Sequence, residues 1–500
     1  MKRVSIIGAG IAGLSAGCYL QMNGYNTQIY ELHELPGGLC TSWKSRDYTI
    51  DNCIHWLVGS GPSDNIYNLW AELVDMQSIE FVDPEEWLRI EGNEGRFIRV
   101  FTDVDKLEKE LLLKAPEDGK LITEFTGAVR RFLKLNLPVE KAQETYGPMD
   151  ALRVVPRLLP FFRAMRKWNG ISLQQYSERC KDPLLGRMFR FMFLPETAVF
   201  FVIMTLVWMH KKSAGYPIGG SLEFVRLIEK RYLELGGRIN YKSKVVKIRT
   251  ENDSATGIML ENNAVQNSDI VISAADGHFT IFDMLDGKYV DEKVKEYYNR
   301  YKPFPSYVQV SLGVSRTFKN EPHTVVLTLD EPLTVDQNTT YDEIMVRIFN
   351  HDKTLAPKGK TVITVLLPTY DYEYWINLKS TDAVAYMKQK ERIADEVVQI
   401  LEKRYGNLLS KIEMIDVSTP STVIRYTNNW KGSFEGWLMT PGIGFRSMRK
   451  TLPGLSNFYM AGQWVEPGGG VPSAMMSGRN VAQIICKSDK KRFIAQTVSS

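Results

Sequence analysis

Residues 4–17, Val4-Ser5-Ile6-Ile7-Gly8-Ala9-Gly10-Ile11-Ala12-Gly13-Leu14-Ser15-Ala16-Gly17, decide the fold. Val4 to Ile7 is a short apolar strand, Gly8 to Gly13 is a glycine turn, and Leu14 to Asn23 has helical spacing that ends at Gly24. Thr27 to Tyr30 is a second strand, closed by Glu31. This is one βαβ unit at the extreme N-terminus. Each glycine has a distinct physical task. Gly8 permits the tight turn, Gly10 lets backbone approach a pyrophosphate, and Gly13 lets helix and strand pack closely. The free N–H groups that open the helix then face phosphate oxygens. Glu31 stands where a carboxylate accepts hydrogen bonds from a ribose hydroxyl.

Outward from this unit, Glu34-Leu35-Pro36-Gly37-Gly38-Leu39 adds a second glycine pair just after the acid. Near the other end, Tyr459-Met460-Ala461-Gly462-Gln463-Trp464 leads into Pro467-Gly468-Gly469-Gly470-Val471-Pro472-Ser473-Ala474. There a strand ends, glycines allow close approach of something flat, and a helix begins. The two clusters resemble the FAD-binding superfamily that includes glutathione reductase, amine oxidases and carotene desaturases. The resemblance implies an α/β fold: a Rossmann-like FAD-binding domain of the glutathione-reductase/amine-oxidase type, with an interleaved α+β substrate domain. It also implies FAD contacts from Gly8, Gly10, Ile11, Ala12, Gly13, Glu31, Gly37, Gly38, Leu39, Val246, Gly462, Gln463, Gly470, Val471 and Ala474. Many superfamily members carry an acid where Gln463 stands, so weaker pyrophosphate contacts are expected there. No histidine or cysteine stands in the C-terminal loop, so the FAD is expected to be non-covalent. There is no second GxGxxG, and the external electron donor or acceptor stays open: a quinone, oxygen, a partner protein, or transient NAD(P)H.

Composition narrows the rest. A net charge of +4 gives little reason to expect nucleic acid. The five cysteines, Cys18, Cys40, Cys53, Cys180 and Cys486, lack CxxC spacing, so neither a disulfide framework nor a metal site is indicated. Met1-Lys2-Arg3 runs directly into the first strand, without a cleavage-site pattern, and the chain reads as cytoplasmic. Ala198 to Met209 is strongly apolar but too short to span a bilayer, so it reads as a buried helix or strand. Leu152 to Trp168 mixes Leu, Val and Phe with Arg153, Arg157, Arg163, Arg166 and Lys167. Two readings stand for it: peripheral contact with the inner face of a membrane, or a surface helix broken by Pro156 and Pro160.

A second α/β signal begins near Gly219, with Ser221 expected to cap a helix through Leu233. Strands follow at Arg238 to Tyr241, Val245 to Arg249, Thr256 to Leu260 and Asp269 to Ser273. Thr361 to Leu367 reads as a strand and Ala383 to Arg404 as a helix. The expected FAD-binding domain is discontinuous, over 1–75, 215–290 and 415–490. The substrate domain takes 76–214 and 291–414, and 491–500 is a polar, frayed tail.

Four stretches together resemble the phytoene desaturase, carotenoid isomerase and retinol saturase family of FAD-dependent oxidoreductases. They are the N-terminal fingerprint with Pro36-Gly37-Gly38, Gly215-Tyr216-Pro217-Ile218-Gly219-Gly220-Ser221, Thr419-Pro420-Ser421-Thr422 with Arg425-Tyr426-Thr427, and Ala461-Gly462-Gln463-Trp464 with its loop. The resemblance implies a lipophilic isoprenoid or polyene, bound in a tunnel, whose carbon–carbon bonds are changed by desaturation, saturation or isomerisation. Met188, Phe189, Phe191, Met192, Phe193, Phe200, Phe201 and Trp208 suit such a tunnel and suit a plain core equally. His55 is the polar candidate near the flavin ring, against a purely structural role. A flavin amine oxidase, with Trp464 beside the cofactor, and a non-catalytic isoprenoid-binding escort of the same fold are the rival readings.

Overall fold

The computed structural model of the protein describes residues 1–443 and 448–498. At its centre lies a five-stranded parallel sheet in the order Arg238–Asn240, Asn26–Tyr30, Arg3–Ile7, Ile270–Ser273, Phe458–Met460. Its strands come from three distant stretches of chain. Helix Ile11–Met22 is buried at ten of its twelve positions, from Ile11 to Leu20. It is apolar nearly all round because it lies between the sheet and two further helices, Gly220–Glu234 and Gly470–Ser488. Small residues set these distances. A Cβ on Gly478 would stand 2.4 Å from the Ala12 carbonyl oxygen and 2.7 Å from the Ala16 nitrogen. The C-terminal helix therefore touches backbone of the N-terminal one.

Helix Gly220–Glu234 starts one residue before Ser221, so the expected serine cap is not formed. The buried carboxylate of Asp51 takes that position and accepts the Ser221 N–H at 2.9 Å. The Ser221 hydroxyl instead accepts the N–H of Ile54 at 2.8 Å. The chain from Asp51 to His55 is thereby fixed against the helix start.

A second, seven-stranded sheet runs Ile412–Ser418, Ser306–Val314, Thr361–Thr369, Thr340–Ile348, Thr324–Thr334, Glu86–Glu91, Phe97–Phe101. All neighbours are antiparallel except Glu86–Glu91 with Thr324–Thr334. Helix Ala383–Tyr405 covers one face, packing Ile393, Val397 and Leu401 with Ile344, Val346 and Ile348. The other face of the same strand carries Tyr341, Glu343, Met345 and Arg347, and these line a large cavity. The period of two residues along a strand separates the two sets. The expected boundary at 414/415 falls inside strand Ile412–Ser418, which pairs with Ser306–Val314.

A helical layer closes the cavity from the other side. Val199–His210, the apolar segment too short to span, is a buried helix against Gly119–Phe132. Pro148–Asn169 is one continuous helix, not broken at Pro156 and Pro160. Both prolines are solvent-exposed, where water can bond the carbonyls that lose their N–H partners. The tail is not frayed over its described part. Asn23 exchanges two hydrogen bonds with Ile494, both at 2.8 Å, and the Val498 N–H donates to Ala71. Residues 499 and 500 lie outside the described residues.

The helix crossing gives the first prediction. Gly478→Val places branched carbons where only backbone fits, and should lower stability by about 2 kcal/mol or more. Gly127→Ala, in helix Gly119–Phe132 with no atom near its Cβ position, should instead raise stability by about 0.5–1 kcal/mol. Thermal unfolding of both variants measures the contrast.

Candidate functional site

Two cavities meet at the carboxyl ends of the parallel strands. The first is lined by the N-terminal glycine turn, by Glu31, by Gly37 to Leu39, and by the C-terminal loop at Gly462, Gln463, Gly470, Val471 and Ala474. Two helices open onto it, Ile11–Met22 after Gly10 and Gly470–Ser488 after Gly469, and neither has a side-chain cap. Their first N–H groups and the positive ends of their dipoles face the cavity. A Cβ on Gly10 would meet nothing nearer than the Gly37 carbonyl oxygen at 3.8 Å, and one on Gly38 nothing nearer than Gly10 Cα at 3.8 Å. The space beside these glycines is a cradle that any side chain would fill. Glu31 is buried, and its two oxygens accept the N–H groups of Ala9 at 2.6 Å and His33 at 2.8 Å. Each oxygen keeps a lone pair for a ribose hydroxyl. Burial pushes the Glu31 carboxyl up, and the backbone N–H groups of His33, Ala9 and Leu32 oppose this. These residues fit a dinucleotide, whose pyrophosphate the N–H groups at the helix start after Gly10 would hold.

Of the expected contacts, Gly8, Gly10, Ile11, Ala12, Glu31, Gly37, Gly38, Leu39, Gly462, Gln463, Gly470, Val471 and Ala474 line this cavity. Gly13 and Val246 do not. A Cβ on Gly13 would fall 2.0 Å from the Gly8 carbonyl oxygen, so Gly13 serves the packing behind the turn. At the start of strand Val245–Glu251 the residue facing inward is Val245, because successive side chains alternate. Gln463 donates its amide N–H to Asn429 at 3.3 Å, and the Trp464 indole donates to the same oxygen at 3.0 Å.

The second cavity has a volume of about 1210 Å³, above the roughly 300–1,000 Å³ usual for small-ligand sites. Phe191, Met192, Phe193, Phe201 and Trp208 line it, whereas Met188, Phe189 and Phe200 are buried in the helical core. His55 lines this cavity and not the first. Burial holds its imidazole well below the usual range, and the Arg347 charge adds to this, so it is neutral.

Six residues line both cavities: Leu39, Cys53, Phe434, Glu435, Gly470 and Val471. Glu435 is the ionisable carboxyl at this junction. Burial pushes it up to about 8, against the opposing pull of the Gly470 N–H. Gly469, at φ +60°, is needed beside it, since a Cβ there would lie 1.9 Å from Glu435 Oε2. Sequence reasoning missed Glu435. The available signal was a lone acid between Gly432 and Gly436 in an aromatic stretch that ends at Trp437.

Comparison with known proteins agrees with this geometry. The family model described as flavin containing amine oxidoreductase matches residues 11–486, and the chain belongs to that family. It is an FAD-dependent oxidoreductase. Over 497 residues it is 24% identical to prolycopene isomerase of Daucus carota, covering 95% of this chain and 78% of that one. Over 515 residues it is 23% identical to a 4,4'-diapophytoene desaturase (4,4'-diapolycopene-forming) of Methylomonas sp, covering 98% and 96%. Among solved structures, a redesigned putrescine oxidase shares the fold with a TM-score of 0.62 at 12% identity, covering 97% of this chain and 99% of that one.

The cradle yields a direct test. Gly10 has φ −68° and ψ 174°, which any residue adopts, so Gly10→Val leaves the backbone unstrained and fills the cradle. The variant should fold, with an unchanged circular dichroism spectrum, and lose its yellow colour. Wild-type protein should release FAD into the supernatant on denaturation.

Proposed function

We propose that the protein changes carbon–carbon double bonds in a lipophilic isoprenoid or polyene, by desaturation in the first reading. The observation that carries this is the junction itself, where a cavity of about 1210 Å³ with an aromatic and methionine wall abuts the cofactor cradle. The curated relatives named as a prolycopene isomerase and a 4,4'-diapophytoene desaturase support it. FAD bound in the cradle supplies two-electron oxidation or reduction of the bond. The chain's own part is to bind and orient the substrate along the sheet face, to exclude water, and to hold a proton on Glu435. Trp464 lines only the cofactor cavity, so it offers no ring in the large cavity to flank an amine.

A second reading has its own support. A carboxyl pushed up to about 8 is mostly protonated at neutral pH, which suits donation to carbon in isomerisation or saturation with reduced FAD. The sign of the pH dependence separates the readings. If ionised Glu435 accepts a proton, as desaturation requires, the rate climbs as pH rises through about 8. If protonated Glu435 donates, the rate falls through the same range. Glu435→Gln should abolish that limb and slow turnover by roughly 10²–10⁴-fold. Polyene mass then checks the assignment: loss of two hydrogens marks desaturation, gain marks saturation, and unchanged mass with altered retention marks isomerisation. A flavin spectrum indifferent to every polyene, yet perturbed by a small amine, would transfer the function to amine oxidation.

We also propose that the protein rests on a membrane through helix Pro148–Asn169. Met149, Leu152, Val155, Leu159 and Phe162 recur at three- and four-residue spacing and are 57–68% exposed. Arg153, Arg157, Arg163 and Arg166 are also exposed, while Leu158, Phe161 and Met165 face the core. An apolar stripe amid cations suits the interface of an anionic bilayer. Among the described residues no helix is long and apolar enough to cross one. Leu137 and Val139, on the segment leading into this helix, line the large cavity and would lie toward the bilayer. The protein should float with anionic liposomes. Changing the four arginines to Glu should weaken recovery, each cation contributing about 1 kcal/mol. Unchanged flotation would remove this helix from the account.

A further inference from the structure

Three of the chain's six histidines gather beside the large cavity, and two of them, His55 and His323, line it. His323 precedes strand Thr324–Thr334, and its ring centroid lies 4.4 Å from that of His351. Arg347 stands on the neighbouring strand, opposite Thr324, and faces the cavity with His323 and His55. A hydrocarbon offers the Arg347 guanidinium no acceptor. His55 Nδ1, both ring nitrogens of His323, both of His351, and Asn52 Oδ1 are buried out of a ligand's reach, which leaves Arg347 and the second ring nitrogen of His55 as this cluster's donors toward the cavity. No group of acids, cysteines and histidines among the described residues is arranged to hold a metal ion.

The charge balance indicates what the ligand brings. Among the described residues no acid pairs with Arg347 within 4.0 Å. The acid whose charge reaches it is Asp51, and one Asp51 oxygen already accepts the Ser221 N–H. His55 and His323 are kept neutral by burial, and His55, whose Nε2 is not closed off, can offer one ring N–H. A guanidinium facing a low-polarity cavity beside neutral imidazoles matches a carboxylate, which accepts two N–H groups from arginine in parallel. Resting on the lipophile reading above, we propose that the ligand of the large cavity is amphiphilic: a long unsaturated chain ending in a carboxylate, held by Arg347 and the imidazole of His55. Cys53 is at the cofactor junction and His55 only two residues further, at most about 7 Å along the chain. The carboxylate is therefore placed toward the cofactor end of the large cavity.

The test uses the FAD-loaded protein with retinoic acid, its methyl ester and β-carotene, read by perturbation of the flavin spectrum and by tryptophan quenching. The acid should bind at least about tenfold more tightly than the ester. Arg347→Met should erase that advantage and leave ester affinity unchanged, and Arg347→Lys should keep part of it. FAD content and melting temperature identify any variant that misfolds, in which case His55→Phe, with the acid advantage reduced, carries the comparison. Equal binding of acid and ester to wild type, or an advantage that survives Arg347→Met, overturns the head-group site and leaves the lipophile reading standing. Failure of acid, ester and hydrocarbon alike to bind overturns both.

Discussion

Backbone contact between helices Ile11–Met22 and Gly470–Ser488 at Gly478 governs the placement of the cofactor site. The two helices belong to opposite ends of the chain, and their starts carry different halves of the cradle. With any side chain at Gly478 the axes would separate, and the two sets of free N–H groups would no longer converge on one ligand. Ser15 reinforces the contact, donating its hydroxyl to the Met475 carbonyl at 2.7 Å, and the Gly462 N–H donates to Ser477 at 2.7 Å. A strand end, a loop and two helix starts are thus held in one arrangement by the chain's own contacts. This is the preorganisation that electrostatic binding requires.

A second tie couples that arrangement to the large cavity. Asp51 is buried, caps helix Gly220–Glu234, and shares Tyr216 with Asp352 through hydrogen bonds at 3.4 and 3.0 Å. Asp352 in turn accepts the Gly219 N–H at 2.9 Å. Burial pushes the Asp51 carboxyl up to about 6. The sign follows: an acid raised in the fold holds its proton more firmly folded than unfolded, so stability declines as pH rises from its ordinary value near 4 toward 6. The hydrogen bonds from Ser221 and the Asn52 N–H oppose that loss, and the Asp352 charge adds to it. The network fixes residues 51–55, which run from the cofactor junction to the polar wall of the large cavity, so both cavities share one support.

The cofactor half was legible in the sequence because its signals are local. Gly8, Gly10, Glu31 and Gly37-Gly38 act through backbone geometry over a few residues, and all face the cradle. Val246 failed by one residue because strand phase depends on pairing that the sequence does not display, and Val245 faces inward. The aromatic run from Met188 to Trp208 divided between cavity and core for a related reason. Helix packing, not residue type, decides that Phe201 faces the cavity and Phe200 the core. Ser221 was a sound cap by type, displaced by an acid 170 residues away. Glu435 and the cluster of His323, His351 and Arg347 left little local trace, since each depends on contacts between distant segments.

The position of Glu435 explains why the C-terminal loop needs consecutive glycines. Gly468, Gly469 and Gly470 all adopt positive φ, and Gly468 lies against the Met439 side chain while Gly469 lies against the Glu435 carboxyl. Were these residues larger, the acid could not reach the junction, and the helix start at Gly470 could not approach the cradle at the same time. The loop therefore does two things with one conformation: it delivers a helix N-terminus to the cofactor and leaves a proton-holding carboxyl beside it. The N–H at that helix start opposes the burial that raises Glu435, and so tempers the shift without cancelling it. A carboxyl pushed up to about 8 at the contact between the two cavities is a consequence of how closely the glycines let the chain pack.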